Sequence, residues 1–223
     1  MAPIIEISNE TLEAFKILKI PYRLRKEKTE VPKKDSGFIY VPSLKLSFTR
    51  DKLHLGENWF DSHRKLQEQE FRMPTIPEHL ELLKYAKEND LELYKEITEV
   101  RNPWRTEWLD ADFKVQNGKL YVNSNHVLDS KGNLVPEYSK PLSRTTLMED
   151  SKISLEYWIN NHTKQGFPTK KTKKGNLSYL SPRDDDNSVA LFLANSDRAL
   201  FDYNWFPSDW SSDLGVRAVK RDE

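Results

Sequence analysis

Apolar positions in the first half of the chain change from an alternating to a helical spacing. Between positions 37 and 48 apolar and polar residues alternate, which predicts a strand pair or hairpin. After Asn58, and again after Thr75, apolar residues recur every three or four positions, as they do in an amphipathic helix. Asn58 is a helix-capping residue type, and Thr75 followed by Glu78 at the third position fits a capping box.

The middle of the chain is predicted to contain a β-hairpin and two short helices. Asn117-Gly118 lies between two alternating runs, and this dipeptide favours a type I′ turn between adjacent strands. Helical spacing predicts short helices over 91–100 and 153–160, the second with Trp158 facing inward. These segments indicate a chain that mixes helices with strands.

Residues 187–220 combine two apolar runs with a mixed segment between them. The runs at 189–193 and 214–219 are predicted to be buried strands, because they are short and bounded by turn-forming residues. The segment between them intersperses aromatic residues with Asp, Ser and Asn. A core segment would need a partner for each of these polar groups, whereas binding surfaces combine large rings with small polar side chains. We therefore predict that this segment forms an exposed binding surface.

Composition restricts the classes of partner and of chemistry. The 223 residues include 35 basic and 35 acidic ones, and this zero formal charge predicts no nucleic-acid partner. Because the chain has no cysteine, disulfides, thiolate metal sites and cysteine nucleophiles are excluded. No signal peptide is seen, and no apolar run reaches the ~20 residues that span a bilayer. The sequence thus predicts cytoplasmic synthesis and no direct membrane insertion.

Candidate catalytic and metal-binding residues are few. His63 and His79 each stand alone beside apolar positions, so a packed role is favoured over metal binding. Glu107, Asp110 and Asp112 could form an acid–base cluster, but without a neighbouring histidine they are interpreted as a solvated turn. No phosphate-binding loop or hydrolase motif is found. We therefore predict that the protein is not an enzyme and has no catalytic residue, no metal ligand and no cofactor.

Three sequence patterns resemble known families. The run Arg72-Met-Pro-Thr75, followed by Glu78, resembles the helix–turn–helix R-L-P-T-x-x-E region of the formylglycine-generating-enzyme superfamily. The run at 214–219, LGVRAV, resembles the closing G-F/V-R strand of that superfamily. The spacing of fixed and unlike residues over 188–217 is similar to the variable region of the target proteins of diversity-generating retroelements, in particular the archaeal or archaeal-virus variable proteins.

The resemblance implies an α+β architecture, the C-type lectin fold, with two helices packed on a small antiparallel sheet. Residues 1–36 would be an N-terminal extension and residues 37–223 the C-type lectin-like domain. Within that domain, about 91–180 would be an insertion and 187–220 the segment that resembles a variable region. The implied function is ligand binding by a hypervariable surface, which error-prone reverse transcription rewrites while a rigid scaffold holds it.

The resemblance also divides the last segment into fixed and variable positions. The implied scaffold positions are Val189, Phe192, Ala194, Pro207, Leu214, Val216 and Arg217. The implied variable positions, which would contact an unknown protein or carbohydrate ligand, are Leu191, Leu193, Asn195, Leu200, Asp202, Tyr203, Trp205, Phe206, Asp209, Trp210, Ser211 and Asp213. Strand alternation would place Leu191 and Leu193 on the same face as Val189, which leaves their assignment open.

Three other functions fit parts of the same pattern. A structural or assembly protein of a virus would use the aromatic segment as a fixed interface. A calcium-dependent lectin would use oxygen ligands at 184–187 and 195–197, although the usual lectin signatures are missing. An oxidase like the formylglycine-generating enzymes would need the cysteines that this chain lacks. The oligomeric state is not determined by the sequence, and display on a virion or cell surface through another component is compatible with it.

Overall fold

The computed structural model describes residues 37–183 and 187–221, together with Ala14, Phe15, Ile17 and Leu18. The chain divides into two compact units, Met1–Val31 and Pro32–Glu223. In the first unit the four described residues include a helical hydrogen bond from Leu18 N to Ala14 O (3.0 Å). The rest of the predicted N-terminal extension lies outside the described residues.

Four helices are present within 37–183 and 187–221. They are α1 (Trp59–Glu68), α2 (Ile76–Asn89), α3 (Leu91–Thr98) and α4 (Leu155–Asn160). The Asn58 side chain caps α1 by accepting a hydrogen bond from Asp61 N (2.9 Å). Thr75 and Glu78 form the capping box of α2. Both predicted helix starts are therefore confirmed, since each is set by a few neighbouring residues.

Eleven strands are present in the same ranges. They are β1 (Phe38–Val41), β2 (Leu46–Thr49), β3 (Arg105–Gln116), β4 (Lys119–Leu128), β5 (Leu134–Pro141), β6 (Ser151–Ile153), β7 (Leu177–Tyr179), β8 (Ser188–Ala194), β9 (Ala199–Trp205), β10 (Leu214–Gly215) and β11 (Val219–Arg221). Asn117 and Gly118 connect β3 to β4 with positive φ angles of 51° and 69°, as a type I′ turn requires. The predicted hairpin is confirmed.

Two sheets organise these strands. The larger has eight strands in the order β5-β4-β3-β8-β9-β7-β6, with β10 pairing parallel to the start of β3. The smaller has the order β1-β2-β11. The predicted α+β class is confirmed, but the main sheet is larger than expected and carries parallel as well as antiparallel pairs. The predicted insertion at about 91–180 supplies β3, a central strand of the main sheet whose first seven residues are buried.

Apolar side chains pack against both faces of the main sheet. Ala190 and Phe192 of β8 join the cluster that includes α2 and α4. Val189, Leu191 and Leu193 join the opposite cluster, which includes Trp59 of α1 and Trp108 of β3. A strand that is covered on both faces reads as a continuous apolar run. This explains why β8 was correctly predicted to be buried.

Candidate functional site

The predicted binding surface is split between the core and the protein surface. Six of the twelve candidate residues are buried, and the prediction that they face solvent is wrong: Leu191, Leu193, Asn195, Leu200, Asp202 and Tyr203. Leu200, Asp202 and Tyr203 are buried because β9 lies between β8 and β7 in the main sheet. Leu191 and Leu193 are buried because β8 lies between β3 and β9. Both edges of β9 are paired, and both of its faces are covered by apolar clusters.

Aromatic packing fixes the inward face of β9. The Tyr203 ring lies with its centroid 5.2 Å from that of Phe113 and 5.2 Å from that of Phe167. The Phe201 ring lies 4.2 Å from that of Trp158 on α4. Such close ring pairs add stability beyond area burial. Tyr203 is therefore a core residue and is not available to a ligand.

Asp202 is buried on the other face of β9 with local hydrogen bonds. Its Oδ1 accepts from Asn204 N (2.8 Å), and its Oδ2 accepts from Trp205 Nε1 (3.1 Å). Burial raises the pKa of Asp202 above its ordinary value, against the effect of these two hydrogen bonds. Trp205 is half-buried, with its ring at the edge of Trp108. Trp205 thus marks the point at which the segment leaves the core.

We call residues 206–213 the aromatic loop. Both aromatic rings of this loop are exposed to solvent. Phe206 is 51 % exposed and Trp210 69 % exposed. Asp209 folds the loop into a turn, because its carboxylate accepts from Phe206 N (2.9 Å) while its own N–H donates to Phe206 O (3.0 Å). Ser211 and Asp213 are partly exposed. For Trp205 and the five candidate residues of the aromatic loop, contact with a ligand stays a prediction.

Both ends of the aromatic loop are held by the domain. Trp59 N on α1 donates to Pro207 O (3.1 Å). At the other end, Thr106 Oγ1 on β3 donates to the carboxylate of Asp213 (3.0 Å), and Lys52 Nζ donates to the Asp213 carbonyl (2.5 Å). Asp213 therefore has a structural role in addition to any contact with a ligand.

Exposed apolar side chains also occur on the segments next to the loop. Leu55, Phe60 and Trp104 are 58 %, 40 % and 50 % exposed. Leu55 precedes Gly56, whose N–H donates to Leu214 O (2.9 Å) at the end of the loop. Trp104 precedes the part of β3 that pairs with β10. The sequence prediction missed these residues, because their closeness to the loop depends on pairing between distant segments.

A buried ionic network lies where β10 meets β3. Arg217 Nε donates to Glu107 Oε1 (3.0 Å), and Arg217 Nη2 donates to Glu96 Oε2 of α3 (3.2 Å). Arg105 donates to both Glu96 and Glu107. Burial by itself would raise the pKa of Glu107, but the charges of Arg105 and Arg217 lower it to about 2. The interpretation of Glu107 as part of a solvated turn is therefore wrong.

A second buried polar cluster lies further along β3. His126 Nδ1 is 2.5 Å from Asp110 Oδ1, and His126 Nε2 is 3.0 Å from Asp112 Oδ1. His63 of α1 has its Nε2 3.6 Å from Asp110 Oδ1. Asp110 is buried and Asp112 is half-buried, so the interpretation of both as a solvated turn is wrong. His63 is packed in the core, as predicted, but beside a carboxylate.

Opposite pKa shifts distinguish the two histidines of this cluster. Burial lowers the pKa of His126, but its interactions with Asp110 and Asp112 outweigh burial and raise the pKa to about 9. Burial dominates at His63 and lowers its pKa to about 4. His126 was missed by the sequence prediction. The hairpin register could have indicated it, because pairing Asp112 with Asn123 brings residues just after 123 close to Asp110.

The calcium hypothesis has limited structural support. The Asn195 side-chain oxygen accepts from Asp197 N (2.9 Å) and Arg198 N (2.8 Å), as in the turns that Asn commonly forms. That oxygen is therefore already used by the β8–β9 turn. Of the other acidic candidates, Asp197 is exposed, and residues 184–186 lie outside the described residues.

Comparison with known proteins gave no match: no family model, no curated protein and no solved structure is similar enough to this chain to indicate its family. Among the described residues, no helix has the length and apolar character needed to span a membrane. The functional interpretation therefore rests on the geometry above.

Proposed function

We propose that this chain is a ligand-binding protein, not an enzyme, and that Trp205 and the aromatic loop form its recognition surface. The observation that carries the proposal is the exposure of Phe206 and Trp210, 51 % and 69 %, on a loop held at both ends. Large rings dominate the energetics of recognition surfaces, because a ring that a partner buries contributes on the order of 2 kcal/mol or more. Neighbouring Asp and Ser groups add hydrogen bonds that orient the ligand.

The attachment of the loop supports this role. Hydrogen bonds from Trp59 N to the Pro207 carbonyl and from Lys52 Nζ to the Asp213 carbonyl tie the loop backbone to the domain. A loop held in this way loses less conformational entropy when it binds. The exposed rings are therefore presented on a fixed base, while the side chains between the anchors can change without altering the core.

We further propose that the scaffold is a C-type lectin fold and that the loop is the diversified part of a variable protein of a diversity-generating retroelement. All seven implied scaffold positions are buried. Arg72 and Glu78 of the first resembling motif form an ion pair. In the second motif Gly215 packs so tightly that an added Cβ would lie 2.9 Å from Leu53 O. These contacts give Arg72, Glu78 and Gly215 a structural role.

The diversified set that we propose is smaller than the resemblance implies. It consists of the six candidate residues that are not buried: Trp205, Phe206, Asp209, Trp210, Ser211 and Asp213. A protein or a carbohydrate ligand fits this combination of rings and small polar groups equally well.

Tolerance to substitution tests the fold part of the proposal. One library randomises Phe206, Trp210 and Ser211 together. A matched control library randomises Leu200, Phe201 and Tyr203. We expect most loop variants to melt within a few degrees of the parent, because surface changes rarely exceed ~0.5 kcal/mol. Most control variants should fail to fold. Loop variants that fail as often as the controls would overturn the proposal.

Sequence variation tests the retroelement part. Reads from the source population should show changes concentrated at the six exposed positions, with an adenine-rich copy of the segment and a reverse transcriptase gene nearby. Variation spread evenly over the chain would contradict diversification, although it would leave a fixed binding surface possible.

A fixed interface of a viral structural protein is the second candidate. Phe60 and Trp104, which lie outside the segment that resembles a variable region, also have exposed rings. Light scattering separates the two functions. If the parent assembles and both Phe206→Asp and Trp210→Asp are monomeric, the loop is an assembly interface. A monomeric parent supports ligand binding.

A further inference from the structure

We propose that His63, Asp110 and His126 bind a divalent transition-metal ion of the zinc type, at a site separate from the aromatic loop. The three side chains come from α1, β3 and β4. A bound ion would therefore join one helix to two neighbouring strands of the main sheet.

The spacing of the three side chains suits a small ion. One possible ligand atom from each residue can be chosen so that all lie within 4.8 Å of one another. His63 Nε2 and Asp110 Oδ1 are 3.6 Å apart. Two ligands of a tetrahedral zinc ion, each about 2.0–2.1 Å from the metal, lie about 3.3 Å apart. His126 Nδ1, now 2.5 Å from Asp110 Oδ1, would have to move back by less than 1 Å.

The state of His63 is the observation that points to a missing ligand. His63 is fully buried, and neither of its nitrogens has a hydrogen-bond partner among the described residues. An unsatisfied buried polar group costs about 1–3 kcal/mol. The ion pairs of His126 with Asp110 and Asp112 satisfy His126 without a metal but leave His63 unsatisfied. An ion between the three side chains would give His63 Nε2 a partner.

The surroundings already orient two of the ligands. Asp112 Oδ1 lies 3.0 Å from His126 Nε2, within ion-pair distance, and this contact leaves Nδ1 for the metal. Metal-bound histidines usually have such a partner. Asp110 uses Oδ2 to accept from His126 N (3.1 Å), which leaves Oδ1 for coordination. Trp59 packs its ring against both imidazoles, with centroids 4.3 and 4.9 Å away.

The donor atoms define the class of ion. Two imidazole nitrogens and one carboxylate oxygen suit zinc and related first-row ions. Calcium and magnesium prefer sites made of oxygen ligands alone. Of the three proposed ligands, Asp110 also lines a cleft of about 220 Å³, together with Ser124 and Asn125 among others.

Metal binding to the unmodified chain is the primary test. The full-length protein is stripped with a chelator and titrated with Zn²⁺, Co²⁺, Mg²⁺ or Ca²⁺. We expect one equivalent of Zn²⁺ to bind and to raise the melting temperature by about 5–10 °C at a hundredfold excess over Kd. Co²⁺ should give visible absorption bands at the same stoichiometry, and Mg²⁺ and Ca²⁺ should give no shift. No Zn²⁺-dependent shift together with no Co²⁺ spectrum would overturn the proposal without any variant.

Substitutions locate the site. His63→Gln should weaken Zn²⁺ binding by at least a hundredfold, and Asp112→Asn, which changes a positioning residue, by about 10–100-fold. His79→Gln is the matched control, because His79 is equally buried, also has two nitrogens without hydrogen bonds, and faces Glu107 at 3.9 Å. His79→Gln should keep the parent's affinity. The proposal is wrong if His63→Gln binds zinc like the parent, or if His79→Gln loses binding equally.

Discussion

Strand β9 and the aromatic loop have similar compositions but opposite environments. In β9 the rings of Phe201 and Tyr203 are buried, and in the loop Phe206 and Trp210 are exposed. Aspartates occur in both regions. The difference lies in the pairing, since β9 has a hydrogen-bonded strand on each side and the loop follows the point where that pairing ends. Exposure here is thus decided by a segment's neighbours in the sheet, and much less by its own residue types.

The largest expected effect compares one ring from each region. Phe201→Ala should reduce the free energy of unfolding by about 3–5 kcal/mol, because it leaves a cavity against Trp158. Phe206→Ala should change it by less than ~0.5 kcal/mol. Urea denaturation of both variants measures the difference. Equal losses would mean that the loop is packed as tightly as the strand.

A similar loss of stability is expected when the buried ionic network, which lies where β10 meets β3, is disrupted. Arg217→Ala should reduce the free energy of unfolding by about 3–5 kcal/mol, because it removes one partner of buried Glu107. Arg221→Ala, at an exposed position of β11, is the control and should have little effect. A loss below ~1 kcal/mol for Arg217→Ala would show that the network does not hold β10 in place.

Low pH should reduce the free energy of unfolding, because His79 is buried in its neutral form. Burial lowers the pKa of His79 to about 4 from its ordinary value of 6.5. Above pH 6.5 the residue is neutral in both states and contributes no pH dependence. As the pH falls from 6.5 to 4, the unfolded chain binds a proton that the folded chain does not, so stability is lost by at most about 1.4 kcal/mol per pH unit.

The variant His79→Leu should lose that part of the pH dependence. Urea denaturation at a series of pH values gives the slope of the free energy of unfolding against pH. Between pH 4 and 6.5 this slope should be smaller in the variant by up to about 1.4 kcal/mol per pH unit, which corresponds to one bound proton. An unchanged slope would mean that His79 titrates normally in the folded state. A loop variant such as Trp210→Ser should keep the parent's slope, because it changes no titratable group.

The smallest expected effect is at the anchored end of the loop. Asp213→Ala should reduce the free energy of unfolding by about 1 kcal/mol, the usual value of one hydrogen bond, because it removes the acceptor for Thr106 Oγ1. Asp209→Ala breaks a hydrogen bond within the loop and should change stability by less than ~0.5 kcal/mol. Thermal melts compare the two. If both variants lose the same amount, Asp213 is no anchor.

Features set by a few adjacent residues could be predicted from the sequence. The Asn58 cap, the capping box at Thr75 and the Asn117-Gly118 turn all depend on contacts within four residues. The buried run of β8 was also predicted, because apolar side chains on both faces leave a clear pattern. The run at 214–219 was predicted to be one buried strand, but it contributes to two strands, β10 and β11, in different sheets.

Features that depend on distant pairing could not be predicted in this way. The burial of β9 requires β7, a short strand that pairs with it in parallel. The polar cluster unites His63, Asp110 and His126 from three separate elements. Glu107 looked solvated because one of its two arginine partners, Arg217, is far away in the sequence. Three of the candidate residues, Leu200, Asp202 and Tyr203, were misplaced for this reason.

The pairing of β2 with β11 has a consequence for synthesis on the ribosome. Phe48 is aligned with Val219, and Thr106 with Leu214, so both sheets are completed by residues translated late. Contacts between such distant residues form slowly, since a long loop must close first. During translation both sheets therefore remain incomplete until Val219 has been synthesised. The strand edges that are exposed in that interval need protection from aggregation.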